Sequence, residues 1–415
     1  MRPYAVTKSA GSPWLDEVPA HWTVSRFRYE AVINGGQVDP REEPWSGMTL
    51  IAPNHIESNT GRVVGIESAE EQGADSGKYL VEAGQLVYSK IRPALNKVAI
   101  AETQALCSAD MYAMSFSDRV DPRFALYYFL ARPLHTFATV ISMRVKMPKI
   151  NREELSEAPW LVPPIPEQRA IADYLDRETV RSDTLIEEQQ RLIEMLCDRR
   201  RSLASGIIGA RVGHGDRLKW LFDDVDIRSG AEAETLPLLS VSISWGVRRR
   251  DEVTDDASRA EDLSHYKVCR RGDLVINRMR AFQGGLGLAT EDGIVSPDYA
   301  VLRPRSEVVG PWLAAAMKTD AFVSEMTRRV KGIGSTDLGN ARTPRINISD
   351  LGGIRLDVPS RDMQLSEVAH LDDQTAKIAR LIAETERFID LSHERRAALI
   401  TAAVTGQIDV REEVA

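Results

Sequence analysis

The 415-residue chain has only three cysteines, Cys107, Cys197 and Cys269, and no run of eighteen apolar residues. The cysteines lie far apart, form no CxxC pair and have no nearby histidines. They give neither a disulfide framework nor a zinc site, and point to reduced thiols. The missing apolar run, with an amino terminus (Met1 to Lys8) that lacks an apolar core and cleavage site, points to a soluble cytoplasmic protein. Catalytic motifs are missing too. The only Gly-Lys pair, Gly77-Lys78, is followed by Tyr79 and has no glycine five positions before Gly77, so there is no phosphate-binding loop for ATP. No Asn/Asp-Pro-Pro-aromatic tetrapeptide is present to hold a flipped base. No Glu-x-Lys triplet offers a metal-nuclease arrangement, and His393-Glu394 has no second histidine at helical spacing. Gly284-Gly285-x-Gly287 lacks the strand-turn-helix context of a nucleotide site. The chain reads as catalytically empty.

A surplus of positive charge, the usual mark of phosphate binding, is also absent: the formal net charge is −8. Its distribution is uneven. Residues 1–160 carry 17 basic and 19 acidic side chains and 211–359 carry 22 of each, whereas 161–210 carry 7 and 9 and 360–415 carry 7 and 11. The two near-neutral segments can each present a basic face. The acidic segments favour a protein partner over DNA.

What the sequence has is a repeat. At an offset of 196, Leu175-Asp176 falls on Leu371-Asp372, Thr179 on Thr375, Leu185-Ile186 on Leu381-Ile382, and Arg199-Arg200 on Arg395-Arg396. The same offset joins Ile150-Asn151 to Ile346-Asn347 and Val162-Pro163 to Val358-Pro359. Upstream the offset becomes 188: Gly84-x-Leu86-Val87-x-x-Lys90-x-Arg92 matches Gly272-x-Leu274-Val275-x-x-Arg278-x-Arg280, and Ser108-x-Asp110 matches Ser296-x-Asp298. Ordered matches over this length imply internal duplication and a pseudo-twofold molecule.

The prolines of Val162 to Pro166 predict an extended linker, after which Glu167 opens about forty residues free of proline and internal glycine, the signature of one long helix. Ile171, Leu185 and Leu192 lie at multiples of seven, with Leu175, Leu196 and Leu203 on the neighbouring track. Leu371, Ile378, Leu381, Phe388 and Leu399 repeat the pattern, and Gly406 supplies a stop. Forty residues make a helix of roughly 60 Å, longer than a domain of this size. The stripe therefore predicts partner-helix packing at these eleven positions, with the two helices paired antiparallel as a spacer, in preference to each lying on its own domain. Strand-like runs such as Gly84–Ser89, Val98–Ala101, Asp273–Asn277 and Tyr299–Leu302 mix with helix-like stretches at Phe124–Ala131 and Pro311–Arg329. The expected fold class is α/β (α+β): two similar globular domains at 1–162 and 211–358, separated by two long antiparallel coiled-coil helices, at 163–210 and, with the carboxyl tail, at 359–415.

Candidate ligand contacts are basic clusters: Lys90, Arg92 and Lys97; Arg144, Lys146 and Lys149; Arg248, followed by Arg249 and Arg250; Arg278 and Arg280; Arg328, Arg329 and Lys331; Arg342 and Arg345. Most basic clusters are solvated faces, but Lys90 with Arg278, Arg92 with Arg280, and Lys149 with Arg345 keep positive charge at matched positions, as phosphate positioning requires. The segment from Lys331 to Thr343, with Ser335 and Thr336, combines glycine freedom with hydroxyl and guanidinium donors suited to phosphates and base edges. An ordinary flexible loop is the competing reading there. Ser108-x-Asp110 and Ser296-x-Asp298 fit turns as readily as acid-base pairs.

Taken together, Trp14-Leu-Asp-Glu-Val-Pro-Ala-His-Trp22, Gly84-x-Leu-Val, and Ile150-Asn151 through Val162-Pro163-Pro-Ile-Pro-Glu167-Gln168-Arg-Ala-Ile171 with Tyr174-Leu175-Asp176 resemble the specificity subunits of type I restriction-modification systems, over essentially the whole chain. The resemblance implies two target-recognition domains, each reading one half of a split, asymmetric site in double-stranded DNA, and helices that set the gap between the half-sites. It implies two adenine methyltransferase (modification) subunits docked along the helices, and restriction-translocation subunits joining for cleavage. S-adenosylmethionine and ATP with Mg would be bound by those partners and no cofactor or metal by this chain, a non-catalytic part of a bacterial defence complex. A coiled-coil adaptor that joins proteins without touching DNA is the alternative. The second repeat departs from the family pattern: Val358-Pro359-Ser-Arg-Asp-Met363-Gln364 lacks Pro-Ile-Pro-Glu and His370 replaces Tyr174, which puts the second linker's geometry in doubt.

Overall fold

The computed structural model describes residues 2–33, 35–65, 67–143, 148–243, 246–253, 262–330 and 345–411. Two helices of 44 residues, Ile165–Ile208 and Arg361–Val404, hold corresponding sequence at the 196-residue offset. The chain divides into two compact units, Met1–Gln190 with Glu386–Ala415, and Arg191–Thr385. Each unit therefore contains the first part of one long helix and the last part of the other.

The first long helix begins two residues earlier than the prolines predicted. The Pro164 carbonyl accepts the amides of Glu167 and Gln168, at 2.8 and 3.0 Å, and Pro166 lies in the first turn, where a missing N–H costs no intrahelical bond. The second helix stops at the predicted glycine. Gly406 adopts a φ of 73°, its amide bonds to Ala403 and that of Gln407 to Ala402 at 2.8 Å, a Schellman closure. A Cβ at position 406 would also lie 2.2 Å from Pro19 Cδ.

Within the first unit, Ile171, Tyr174 and Leu175 share a core with Ile400, Ala403 and Val404, and Asp183 pairs with Arg396 at 3.1 Å. Partners fall along the second helix as they rise along the first, so the two segments run antiparallel. In the second unit, Leu203 and Ile208 pack in one core with Val368 and Leu371. The heptad assignment needs correction. Ile171, Leu175, Leu371 and Ile378 are buried and Leu196, Leu203 and Leu399 half-buried, but Leu185, Leu192, Leu381 and Phe388 are exposed. The inward positions are Thr179, Ser182, Ile186, Gln189 and Ile193 on the first helix and Thr385 and Arg396 on the second. Leu185 and Leu192 precede Ile186 and Ile193 by one residue, about 100° around the helix.

The two units repeat one strand order. In the first, Ala31–Ile33, Met111–Phe116, Leu86–Ser89 and Val98–Ile100 form an antiparallel sheet in that order; in the second, Phe222–Asp224, Tyr299–Pro304, Leu274–Asn277 and Leu286–Leu288 do the same. The register is conserved: Leu86 faces Ile100 and Met114, and Leu274 faces Leu288 and Leu302. A smaller repeat lies beside it, in which Lys78–Val81 pairs with Ala105–Cys107 and Lys267–Cys269 with Gly293–Val295. Leu86–Ser89 and Leu274–Asn277, inner strands of the two sheets, are buried along their whole length, which is why they read as near-continuous apolar runs. Of the helix-like stretches, Pro122–Leu130 is one helix, whereas 311–329 is two, Gly310–Ala316 and Asp320–Arg329, because the Thr319 side chain caps the amide of Phe322. No disulfide joins the three cysteines.

The doubt about the second linker is resolved by one buried amide in each unit. Gln168 is fully buried; it donates to the carbonyls of Arg119 and Pro163, at 2.7 and 2.8 Å, and accepts the amide of Asp121 at 2.8 Å. Gln364, also fully buried, donates to Glu307 and Pro359, at 3.0 and 2.9 Å, and accepts the amide of Val309 at 2.7 Å. Every partner corresponds at the 188 or 196 offset, so loss of Pro-Ile-Pro-Glu leaves the junction intact. Replacing either glutamine by leucine keeps the volume but strands three backbone groups, and is expected to destabilise the chain by about 2–4 kcal/mol in urea unfolding. A change below about 1 kcal/mol would show that water serves the site equally well.

Candidate nucleic-acid interface

The matched basic residues lie on equivalent turns. In the first unit the strand ending at Ser89 leads through Lys90 into Arg92, followed by a 3₁₀ turn, Pro93–Leu95, closed by Asn96 at a φ of 45°. In the second, Arg278 and Arg280 precede the 3₁₀ turn Ala281–Gln283, closed by Gly284 at a φ of 87°. Each turn is tied to the segment that leads to the linker: the Ile150 amide donates to the Lys90 carbonyl at 2.9 Å and the Ile346 amide to the Arg278 carbonyl at 3.0 Å. Ile91 bridges Lys149 and the Arg92 amide donates to the Pro148 carbonyl at 2.8 Å, so the backbones at Arg92 and Lys149 are neighbours. Arg280 and Arg345 occupy the matching positions.

The cations divide by what their side chains do. Lys90 donates to the Ala109 carbonyl and lies 5.6 Å from the Tyr112 ring, while Lys97 donates to the Pro53 carbonyl at 2.6 Å. Arg278 reaches the Ile346 carbonyl and Asn347 Oδ1, each at 3.1 Å. These three brace the turns. Arg92, Lys149, Arg248, Arg280 and Arg345 are exposed, with side chains that make no ion pair among the described residues. Arg328 and Arg329 both pair with Glu325 one helical turn back, which takes up part of their charge. Burial pushes the Tyr112 hydroxyl up to about 12, and it donates to the Ile150 carbonyl at 3.1 Å, holding the same junction. Arg144, Lys146, Lys331, Ser335, Thr336 and Arg342 lie outside the described residues.

The remaining motifs are structural. Ser108 Oγ accepts the amide of Asp110 at 3.3 Å and Ser296 Oγ that of Asp298 at 3.4 Å, making both Ser-x-Asp pairs turns. Gly285 and Gly287 allow close backbone approach: an added Cβ would lie 2.8 Å from the Arg280 carbonyl oxygen and 3.0 Å from Gly246 Cα, respectively. A cleft of about 1190 Å³ in the first unit is lined by Asp16, Glu57, Asp183 and Glu394 against Arg132 and Arg396, a balance that disfavours phosphate. Among the described residues no group of three His, Cys, Asp or Glu could hold a metal ion, and no helix is long and apolar enough to cross a membrane.

One positioning contact was not predicted. Arg396, 7% exposed in its side chain, donates to the carbonyls of Asn59 and Thr60, at 2.8 and 3.0 Å, beside its pairing with Asp183. Arg62, on the same loop, pairs with Glu57 and Glu187. A surface loop of the globular part is thus anchored to both long helices. The Arg395-Arg396 repeat of Arg199-Arg200 was visible in sequence, but not the loop it holds.

A duplicated α/β unit with a braced basic turn in each copy gives the chain two related candidate surfaces. Residues 33–195 match the family described as the type I restriction modification DNA specificity domain. The chain is 35% identical over 217 residues to the type I restriction enzyme EcoDI specificity subunit of Escherichia coli, a match that takes in 52% of this chain and 47% of that protein. Its fold is similar to a chain from a structure of type I R-M complex assembly and conformational transition, with a TM-score of 0.71 at 18% identity over 94% of this chain and 99% of that one. The HsdS subunit from Thermoanaerobacter tengcongensis is similar at a TM-score of 0.57 and 19% identity, over 94% and 98% of the two chains. Residues 33–195 thus carry a domain of the type I restriction modification DNA specificity family, and the chain spans about half the length of the curated specificity subunit that it matches.

Arg396→Met keeps the aliphatic stem but removes every donor to Asn59, Thr60 and Asp183. It is expected to cost about 3 kcal/mol in chemical unfolding and to speed amide exchange in residues 57–62. Exchange at the wild-type rate would dismiss Arg396 as the anchor.

Proposed function

We propose that this chain reads a bipartite, asymmetric site in double-stranded DNA through two equivalent surfaces, one in each target-recognition domain (1–162 and 211–358), and catalyses no reaction itself. The observation that carries this reading is the twin basic turn, in which Arg92 and Arg280 emerge from equivalent 3₁₀ turns with Lys149 and Arg345 exposed alongside. Guanidinium and ammonium groups held on rigid turns contact phosphates and fix register. Base edges would be read by neighbouring groups, for which Arg248 and the segments containing Arg144, Lys146, Lys331, Ser335, Thr336 and Arg342 supply the donors. Lys90, Lys97 and Arg278 act by holding the turns in shape, and Arg328 and Arg329 contribute field more than contact.

In this reading two modification subunits and, for cleavage, restriction subunits assemble on the chain in the cytoplasm. They bring S-adenosylmethionine and ATP with Mg, and this chain selects the site. The exposed apolar side chains Leu185, Leu192 and Met195 on the first long helix and Leu381, Phe388 and Leu391 at the same positions on the second supply seats for partner helices.

Single-molecule sequencing of genomic DNA, read for methylated adenine in a strain that expresses the modification subunit, tests this directly. A split motif modified only when this gene is present is the expected result, and identical methylation with and without it would overturn the reading. For the residues, Arg92→Ala and Arg280→Ala are each expected to lower the slope of log affinity against log salt by about one, and the double variant by about two. Unchanged slopes would remove both from the interface.

A further inference from the structure

Most large aromatic side chains in the described residues are buried, but Tyr29 and Trp220 are 66% and 57% exposed. They occupy the same place in the two units. Arg26-Phe27-Arg28-Tyr29 and Arg217-Leu218-Lys219-Trp220 correspond at an offset of 191, with a cation, an apolar residue, a second cation and an aromatic ring in each. Phe27 and Leu218 are buried, and their amides donate to the carbonyls of Ala158 and Ile354, at 2.9 and 2.8 Å. The second cation stands over the ring, Arg28 at 5.0 Å from the Tyr29 centroid and Lys219 at 4.6 Å from that of Trp220. Two copies of one exposed cation-capped ring, built on the same backbone bond, are hard to attribute to chance placement of surface residues.

The surroundings favour an acidic occupant. Arg217 is directly opposite Arg355 in an antiparallel pair, an arrangement that raises the energy of a sheet unless something neutralises it. No carboxylate among the described residues pairs with Arg217 or Lys219. In the first unit Glu157 meets both Arg26 and Arg28, and at the equivalent position the second unit has Gly353.

We propose that these tetrapeptides are twin docking points for a protein present in two copies per chain, whose matching face carries carboxylates around an apolar recess that receives the ring. Trp, Tyr and Arg concentrate binding energy at such interfaces. A DNA backbone fits less well, because duplex phosphates offer no apolar recess for the ring. The partner that meets the requirement of two equivalent copies is the modification subunit, so this inference rests on the functional reading above. It adds a contact at the globular part of each unit to the helical seats.

The test uses the full chain and the purified modification subunit of the same system. Native mass spectrometry counts bound copies, and a binding titration at low and high salt measures each affinity. Tyr29→Ala and Trp220→Ala are each expected to weaken one of the two copies about tenfold or more, and the double variant both. Tyr29→Phe and Trp220→Phe, which keep a ring, should recover most of the loss, with the thermal midpoint of the free chain unchanged throughout. The copy weakened by Trp220→Ala should be the more salt-sensitive in wild type, since no internal carboxylate shields its cations. Wild-type affinity of the double variant for both copies overturns the proposal, as does a loss confined to DNA binding with assembly intact. A wild-type chain that binds no modification subunit would overturn the functional reading as well, and so separates the two failures.

Discussion

The junction between each globular part and its long helix depends on a single neutral amide. Gln168 and Gln364 each give two hydrogens to carbonyls and take one from a backbone N–H. An ionised carboxylate could accept but not donate, and an apolar side chain could do neither, so few residues of this length satisfy the pocket. Because the three backbone groups come from two separated segments, the amide fixes the angle at which the helix leaves the sheet. The heptad seam, the Asp183–Arg396 pair and the loop at Asn59–Thr60 are all placed downstream of that angle.

Duplication was legible because it preserved spacing as well as residue type. Three strands of each four-stranded sheet follow the 188-residue offset, the edge strands Ala31–Ile33 and Phe222–Asp224 correspond at 191, and the long helices follow 196. What could not be read was which turn of each helix faces inward. Counting leucines put Leu185, Leu192, Leu381 and Phe388 in the seam, whereas these are exposed and the less exposed positions are Ser182, Ile186, Gln189 and Thr385. Small and polar side chains at such positions carry no hydrophobic signal. The early helix start was missed because proline was taken as a break, although its position in a first turn is favourable. The tetrapeptides at Arg26 and Arg217 escaped because they share only the first residue and chemical type, at a third offset.

The basic clusters show that matched charge has two physical origins. At Lys90 and Arg278 a cation is kept because a buried set of carbonyls needs a long donor, and the result would be the same in a protein that bound nothing. At Arg92 and Arg280 the side chains extend into solvent from rigid turns, and bracing by their neighbours makes them useful. Sequence comparison of the two halves weighs the pairs equally; only their hydrogen-bond partners separate them.

The core of the first unit is completed by Ile400, Ala403 and Val404, from the end of the helix that starts in the second unit, and the core of the second by Leu203, Ile207 and Ile208. Position 404 corresponds to 208. A single ancestral half would therefore have lacked its own closing segment and carried one suited to a twin. Two copies could have satisfied each other as a symmetric homodimer. Joining them end to end would have removed the dependence on concentration and freed the two halves to diverge from one another.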